Sequence, residues 1–260
     1  MDGKRDWYGG EFKVLVTLGE STTAGGWSSR RERCWASRLA ALISEVQSQP
    51  VKLVNSGIGA NVISTRSAGY EHSGKPAATE RLDKHVIAHN PDLLVISYGL
   101  NDARSGTPTS LFAEEMGVIL GRVRERCAPL IVLLGPYFIT DFQRGGPVWS
   151  RGSPDALRSY NELIRSIARA KDCLFVDLLS AYDGARWLVH HDGVHANDVG
   201  HLVVANRIFE VLAQNCSGLA QHTKASERDI PPWRDESTLA ADYGYTRAPT
   251  PRPGAPPGGS

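Results

Sequence analysis

Five short apolar runs, each stopping at small or turn-forming residues and each followed by helical periodicity, constrain the fold of this chain most. They cover residues 14–18, 51–55, 92–97, 130–134 and 174–178. The first, with Val14, Leu15, Val16 and Leu18, is too dense in aliphatic residues for a one-sided sheet and reads as a buried strand. Between the runs, apolar residues recur at three- and four-residue intervals, as at Trp35, Leu39, Leu42, Ile43 and Val46. This spacing predicts a helix capped by Ser28 or Ser29 and ended by Pro50. Further helices are expected over 77–89, 111–126, 154–170 and 197–212. Strands and helices in such alternation imply an α/β fold with three layers, α/β/α, around a mainly parallel five-stranded sheet with right-handed crossovers.

Composition narrows the partners. Of 260 residues, 41% are hydrophobic and 22% charged, enough to bury one sizeable core. A formal net charge of +1 supplies no footprint for nucleic acid or an anionic membrane. The first residues lack the apolar core of a secretory signal, and no run approaches the roughly 18 apolar residues of a bilayer span. The expectation is a cytoplasmic protein without a transmembrane segment. Cys34, Cys127, Cys173 and Cys216 fit no metal or redox spacing and read as reduced, mostly buried thiols. The expected organisation is an N-terminal extension over 1–11, one α/β domain over 12–216, and a proline-rich tail over 217–260. That tail reads as extended or disordered, with Trp233 or Tyr243 as candidate anchors.

Each strand of such a sheet delivers its following loop to the carboxyl edge, where open α/β sheets hold their chemistry. The first loop, Gly19-Glu20-Ser21-Thr22-Thr23-Ala24-Gly25-Gly26, is small and hydroxylated, so a tight turn leaves Ser21 exposed there. An ordinary strand-to-helix turn or a phosphate cradle is the plainer reading of such a loop. A P-loop needs a Lys after its second glycine; here Gly19 and Gly25 enclose five residues and no Lys follows. The second strand empties into Ser56-Gly57-Ile58-Gly59-Ala60-Asn61 and the third into Tyr98-Gly99-Leu100-Asn101-Asp102. Asp192-Gly193-Val194-His195 precedes the last helix.

A serine hydroxyl becomes a nucleophile when a base within hydrogen-bond reach takes its proton. His195 is the candidate base. Asp192, three residues earlier in the same turn, is the candidate carboxylate that fixes the imidazole tautomer. Asn101 and the backbone N–H groups of Ser21 and Ala60 are candidate oxyanion donors.

With these blocks in this order, the sequence resembles the SGNH, or GDSL-type, hydrolases: serine esterases and lipases on a flavodoxin-like sheet. Gly19-Glu20-Ser21-Thr22-Thr23-Ala24-Gly25 is similar to the family's G-D-S-x-x-x-G, Gly99-Leu100-Asn101-Asp102 to its G-x-N-D, and Asp192-Gly193-Val194-His195 to its D-x-x-H. The resemblance spans about 12–212 and implies that Ser21 is the nucleophile, Asn101 an oxyanion donor, and Asp192 and His195 the acid and base. Two positions depart from the pattern. Glu20 stands where the family has Asp, and Ala60 where its glycine donor usually stands. Alanine does not take every φ open to glycine, so Gly59 is the other candidate for that donor.

Competing readings attach to several residues. Asp-x-x-His alone is more often a helix-start cap with a surface imidazole. His190, His191, Asp192 and His195 could suggest a metal, but no second group at metal-ligand spacing accompanies them, so neither metal nor cofactor is expected. His190 and His191 read as structural or pocket-lining, Trp35 and Tyr98 as core, and Trp27 as pocket wall or edge cover. Arg104 reads as a solvated arginine or a contact for a charged leaving group. The segment 137–153, with Tyr137, Phe138, Phe142 and Trp149, is long for a connection and, with the stretch after Asn61, is the expected seat of specificity. The sequence reading is a serine esterase acting on a small-molecule ester with a short acyl chain, such as an acetyl ester of a carbohydrate or small metabolite. Acyl transfer to another alcohol, or a binding module without turnover, are its alternatives.

Overall fold

In the computed structural model, five strands form one sheet: β1 (Val14–Gly19), β2 (Lys52–Gly57), β3 (Leu93–Ser97), β4 (Leu130–Leu134) and β5 (Leu174–Val176). Their order is β2-β1-β3-β4-β5 and every pair is parallel. Thr17 of β1, for example, sits opposite Asn55 on one side and Val95 on the other. This is the flavodoxin-like order, with its reversal between β1 and β3. All residues of β3 and β4 are buried, as the unbroken aliphatic runs require. The structure describes residues 4–227; Trp233, Tyr243 and the proline-rich end lie outside the described residues. The chain divides into two units, Met1–Thr223 and Lys224–Ser260, and the sheet belongs to the first.

The longer helices are α2 (Trp35–Val46), α3 (Ala78–His85), α5 (Thr109–Arg126), α6 (Pro154–Ala170) and α8 (Asp198–Asn215). Shorter ones are α1 (Ser21–Ala24), α4 (Leu100–Ser105), α7 (Leu178–Tyr182) and α9 (Gly218–Ser226). Helices α2 and α8 pack together over one face of the sheet, and α3, α5 and α6 in a row over the other. Trp35 and Tyr98 are buried in the core, and Cys34, Cys173 and Cys216 are buried free thiols. Among the described residues no helix is long and apolar enough to cross a membrane.

Three local expectations are corrected. Helix α2 starts at Trp35 and is capped by neither serine. Ser28 Oγ donates to the nearby carbonyls of Gly25 (2.7 Å) and Arg30 (2.9 Å), and Ser29 Oγ to the distant Asp198 (2.6 Å), so a local turn claims one hydroxyl and a tertiary contact the other. Leu178 is helical, because the Asp177 side chain accepts the Ser180 N–H at 3.0 Å and caps α7 where β5 was expected to continue. The stretch after Ser217 opens with α9: Gly218 N–H donates to the Tyr8 carbonyl at 3.1 Å and Leu219 is buried. The N-terminal segment is tied down as well, with Trp7 N–H donating to the Asn215 carbonyl at 2.8 Å.

Candidate active site

Strand β1 ends at Gly19, where a Cβ would lie 2.1 Å from Thr23 Oγ1 and 2.7 Å from the Ser97 carbonyl oxygen. Only glycine lets β1 pass this close to β3. The chain then turns into α1 with Ser21 as its first residue, so the Ser21 N–H is one of those that a first helical turn leaves without an intrahelical partner. Ser21 is 6% exposed, at the floor of a cleft and not on an open surface as the loop composition suggested.

The last block folds into a narrow turn. His190 N–H donates to the His195 carbonyl at 2.7 Å and Gly193 N–H to the His190 carbonyl at 2.9 Å. Gly193 has φ +77°, and a Cβ there would meet Asp141 Cβ at 2.4 Å. Asp192 Oδ1 accepts the N–H groups of Val194 (2.9 Å) and His195 (3.0 Å), while Oδ2 lies 2.6 Å from His195 Nδ1. A carboxylate only accepts, so the ring proton sits on Nδ1, and Nε2 is left to accept from the Ser21 hydroxyl at 2.9 Å. Burial pushes the Asp192 carboxyl upward, but the two backbone donors and the His195 ring outweigh it and hold it well below the ordinary range. His195 is lowered from its ordinary value: burial disfavours the imidazolium more than Asp192 supports it, and Arg104 adds repulsion. Trp27 stacks on the imidazole with ring centroids 3.3 Å apart and planes 5° from parallel, which makes it a wall of the cleft.

Asn101 comes from α4, after β3. Its Nδ2 donates one hydrogen to the Asn61 carbonyl at 3.0 Å, which leaves the second for the cleft that Asn101 lines. Ala60 lines the cleft too, with φ +50°, a left-handed conformation that costs an alanine roughly 1 kcal/mol or more. Gly59 is exposed and is not part of the cleft wall, so the structure brings Ser21, Ala60, Asn101 and His195 together and leaves Gly59 aside.

Glu20 has a larger part than its place before the serine suggests. Its buried Oε1 accepts the N–H groups of Gly99 and Asn101, both at 3.1 Å, and so clamps the first loop to the third. Burial, reinforced by Asp102, pushes this carboxyl well above its ordinary value. Asp102 itself is pushed up to about 6 by burial, against the opposing hydrogen bonds from Ser67 and Ile63. It accepts the Ser67 hydroxyl at 2.6 Å and the Ile63 N–H at 3.0 Å, anchoring the stretch after Asn61. Nothing local marks this anchor, because its partners lie 35 and 39 residues away.

The cleft has a volume of about 200 Å³. The segment 137–153 reaches it through Arg144, Gly145 and Trp149, and is tied to the His195 turn by Thr140 and Asp141 N–H groups donating to the Gly193 carbonyl at 2.8 and 3.0 Å. Phe138 and Phe142 line a separate apolar pocket with Leu157 and Leu179. Arg104 is 5% exposed and part of the cleft wall, which corrects the solvated reading. His190 and His191 pack ring against ring at 3.9 Å outside the cleft. Among the described residues no group of three or more His, Cys, Asp or Glu side chains is placed to hold a metal ion.

A parallel sheet of this order, with a hydroxyl, an imidazole and a carboxylate in line at its carboxyl edge, defines a three-layer α/β/α protein of the hydrolase type. The chain belongs to the GDSL-like lipase/acylhydrolase family, whose model matches residues 17–203. It is a carboxylic ester hydrolase. Among solved structures it is similar to the acetylxylan esterase Axe2 from Geobacillus stearothermophilus, with a TM-score of 0.61 and 19% identity over 78% of this chain and 95% of that one. A lipase/acylhydrolase from Enterococcus faecalis is similar to the same degree, with a TM-score of 0.62 and 19% identity over 78% of this chain and 96% of that one. No curated protein sequence matches the chain.

Proposed function

We infer that this hydrolase cleaves small carboxylic esters with short acyl groups through an acyl-enzyme on Ser21. The observation that carries the reading is the unbroken line from Ser21 Oγ to His195 Nε2 (2.9 Å) and from His195 Nδ1 to Asp192 Oδ2 (2.6 Å). His195 takes the Ser21 proton as Oγ attacks the ester carbonyl. The N–H groups of Ser21 and Ala60 and the remaining Nδ2–H of Asn101 hold the oxygen that becomes negative. The imidazolium then protonates the leaving alcohol, and the Asp192 carboxylate stabilises the charge in between. Water, deprotonated by the same imidazole, releases the acid.

A cleft of about 200 Å³ supports a short acyl chain, since sites for drug-sized ligands run from roughly 300 Å³ upward. The similar acetylxylan esterase is consistent with an acetyl ester of a carbohydrate or small metabolite. The test is covalent trapping: a 4-nitrophenyl alkylphosphonate should inactivate the enzyme with one adduct per chain, on the peptide that carries Ser21. Retained activity, or an adduct elsewhere with Ser21 unlabelled, would overturn the reading.

Two further results are expected. Asn101→Ala lowers kcat by about 10²- to 10³-fold, with a smaller change in KM, because the lost donor acts on charge that develops in the transition state. A loss under threefold in a folded variant removes Asn101 from the oxyanion site. The pH profile of kcat/KM has an acid limb below the 6.5 of an ordinary imidazole, since His195 is lowered in the fold. The working form is the neutral ring, so activity is full above that folded value and is lost as pH falls through it. A limb above 7 would mean that some other group is the base.

A further inference from the structure

We propose, on the reading of this cleft as a small-ester site, that the substrate carries a carboxylate close to the scissile bond and that the Arg104 guanidinium receives it. Arg104 is 5% exposed, yet it lines the cleft beside Ser21, Asn101 and His195. It stands three residues after Asn101 on α4, one helical turn on, so both side chains project from the same face. The helix that supplies an oxyanion donor therefore also supplies a fixed positive charge.

That charge has little to hold it within the protein. Among the described residues the Arg104 side chain makes one hydrogen bond, Nη2 donating to the Arg144 carbonyl, and Nε is buried with no partner. Glu20, Asp141 and Asp192 act on it through charge alone, without a hydrogen bond. Arg81, also buried, shares the unpartnered Nε but is otherwise placed differently. Its Nη groups donate to the carbonyls of Ser56 (2.6 Å) and Gly19 (3.1 Å), to Asn61 Oδ1 (3.4 Å) and to the Tyr98 hydroxyl (2.6 Å), inside the core.

Taking an unpaired cation out of water is strongly unfavourable. Tying down one carbonyl does not require a charge, and a methionine would seal the same wall without that penalty. Arg144, exposed at the rim, lines the cleft as well, and none of the lining residues is Asp or Glu. The charged side chains on the wall itself are both arginines, and a guanidinium fork matches the two oxygens of a carboxylate. A volume of about 200 Å³ leaves room for a short ester bearing one such group. The substrate class is the half-ester of a small dicarboxylic acid or the acyl ester of a small hydroxy acid, which share this chemistry.

The experiment compares kcat/KM, by pH-stat, for two pairs of esters on the full chain. Monomethyl succinate against methyl pentanoate places the charge on the acyl side; acetoxyacetate against propyl acetate, each with a single ester bond, places it on the alcohol side. The expected result is an anion-to-neutral ratio of about 10 to 100 in one pair, the size of a charged hydrogen bond gained, and that pair identifies the side. In Arg104→Gln the ratio collapses toward one, and in Arg104→Lys it is partly kept. A wild-type ratio at or below one in both pairs overturns the proposal without recourse to a variant, as does an unchanged ratio in folded Arg104→Gln. Turnover of the neutral esters with no preference sinks this inference alone. No turnover of any ester, together with an unlabelled Ser21, sinks the esterase reading with it.

Discussion

Replacing Ser21 by alanine lowers kcat on a small acetyl ester by about 10⁵- to 10⁶-fold, the loss expected when the nucleophile of a concerted triad is removed. The variant keeps its fold. Ser21 Oγ bonds only to His195 Nε2 among the described residues, so the substitution forfeits about one hydrogen bond, worth roughly 1 kcal/mol. The residual rate comes from Asn101 and from the backbone N–H groups at position 21 and at Ala60, which still orient and polarise the carbonyl for water. Steady-state kinetics with a thermal melt test both halves. Combining Ser21→Ala with His195→Ala should cost no more than either alone, because neither group does its work without the other. A loss below about 100-fold in the folded single variant would show that the ester is attacked by something other than the Ser21 hydroxyl.

How much of this was open to reading from the chain follows from the range of each interaction. The centre of the sheet was legible because the full burial of β3 and β4 writes itself as runs of Val, Leu and Ile, while β2, exposed or half-buried over most of its length, followed from the alternation with helices, which leaves few topologies. The His195 turn was legible because Asp192 is only three residues from the ring it holds. Pairing with Ser21 spans 174 residues and was reachable only through the known order of blocks in the family resemblance. Residues whose partners are distant and whose type is unremarkable went unread. Glu20 looks like a minor variant of a motif and is instead the clamp between two loops, 79 and 81 residues from its donors. Arg104 looks like a solvated charge because nothing near it in sequence reveals the Arg144 loop that closes over it. That Ala60 and not Gly59 lines the cleft, with a left-handed φ of +50°, also went unread, since a strained φ at alanine leaves no trace in composition.

Asp192→Asn separates orientation of the base from its presence, and the expected cost is about 10⁴-fold in kcat. The asparagine Oδ1 can still accept from Val194 and His195 N–H, so the turn keeps the two bonds, of 2.9 and 3.0 Å, that shape it. What changes is the atom facing His195 Nδ1. An amide nitrogen there donates, the ring must accept, and its proton moves to Nε2, the atom that has to take the Ser21 proton. The hydroxyl then has no base although every heavy atom is in place. Asp192→Ala, by contrast, loses the backbone bonds as well and should lower the melting temperature together with the rate. If Asp192→Asn retains more than about a tenth of wild-type kcat, the carboxylate serves to shape the turn, and the tautomer of His195 is set by something else.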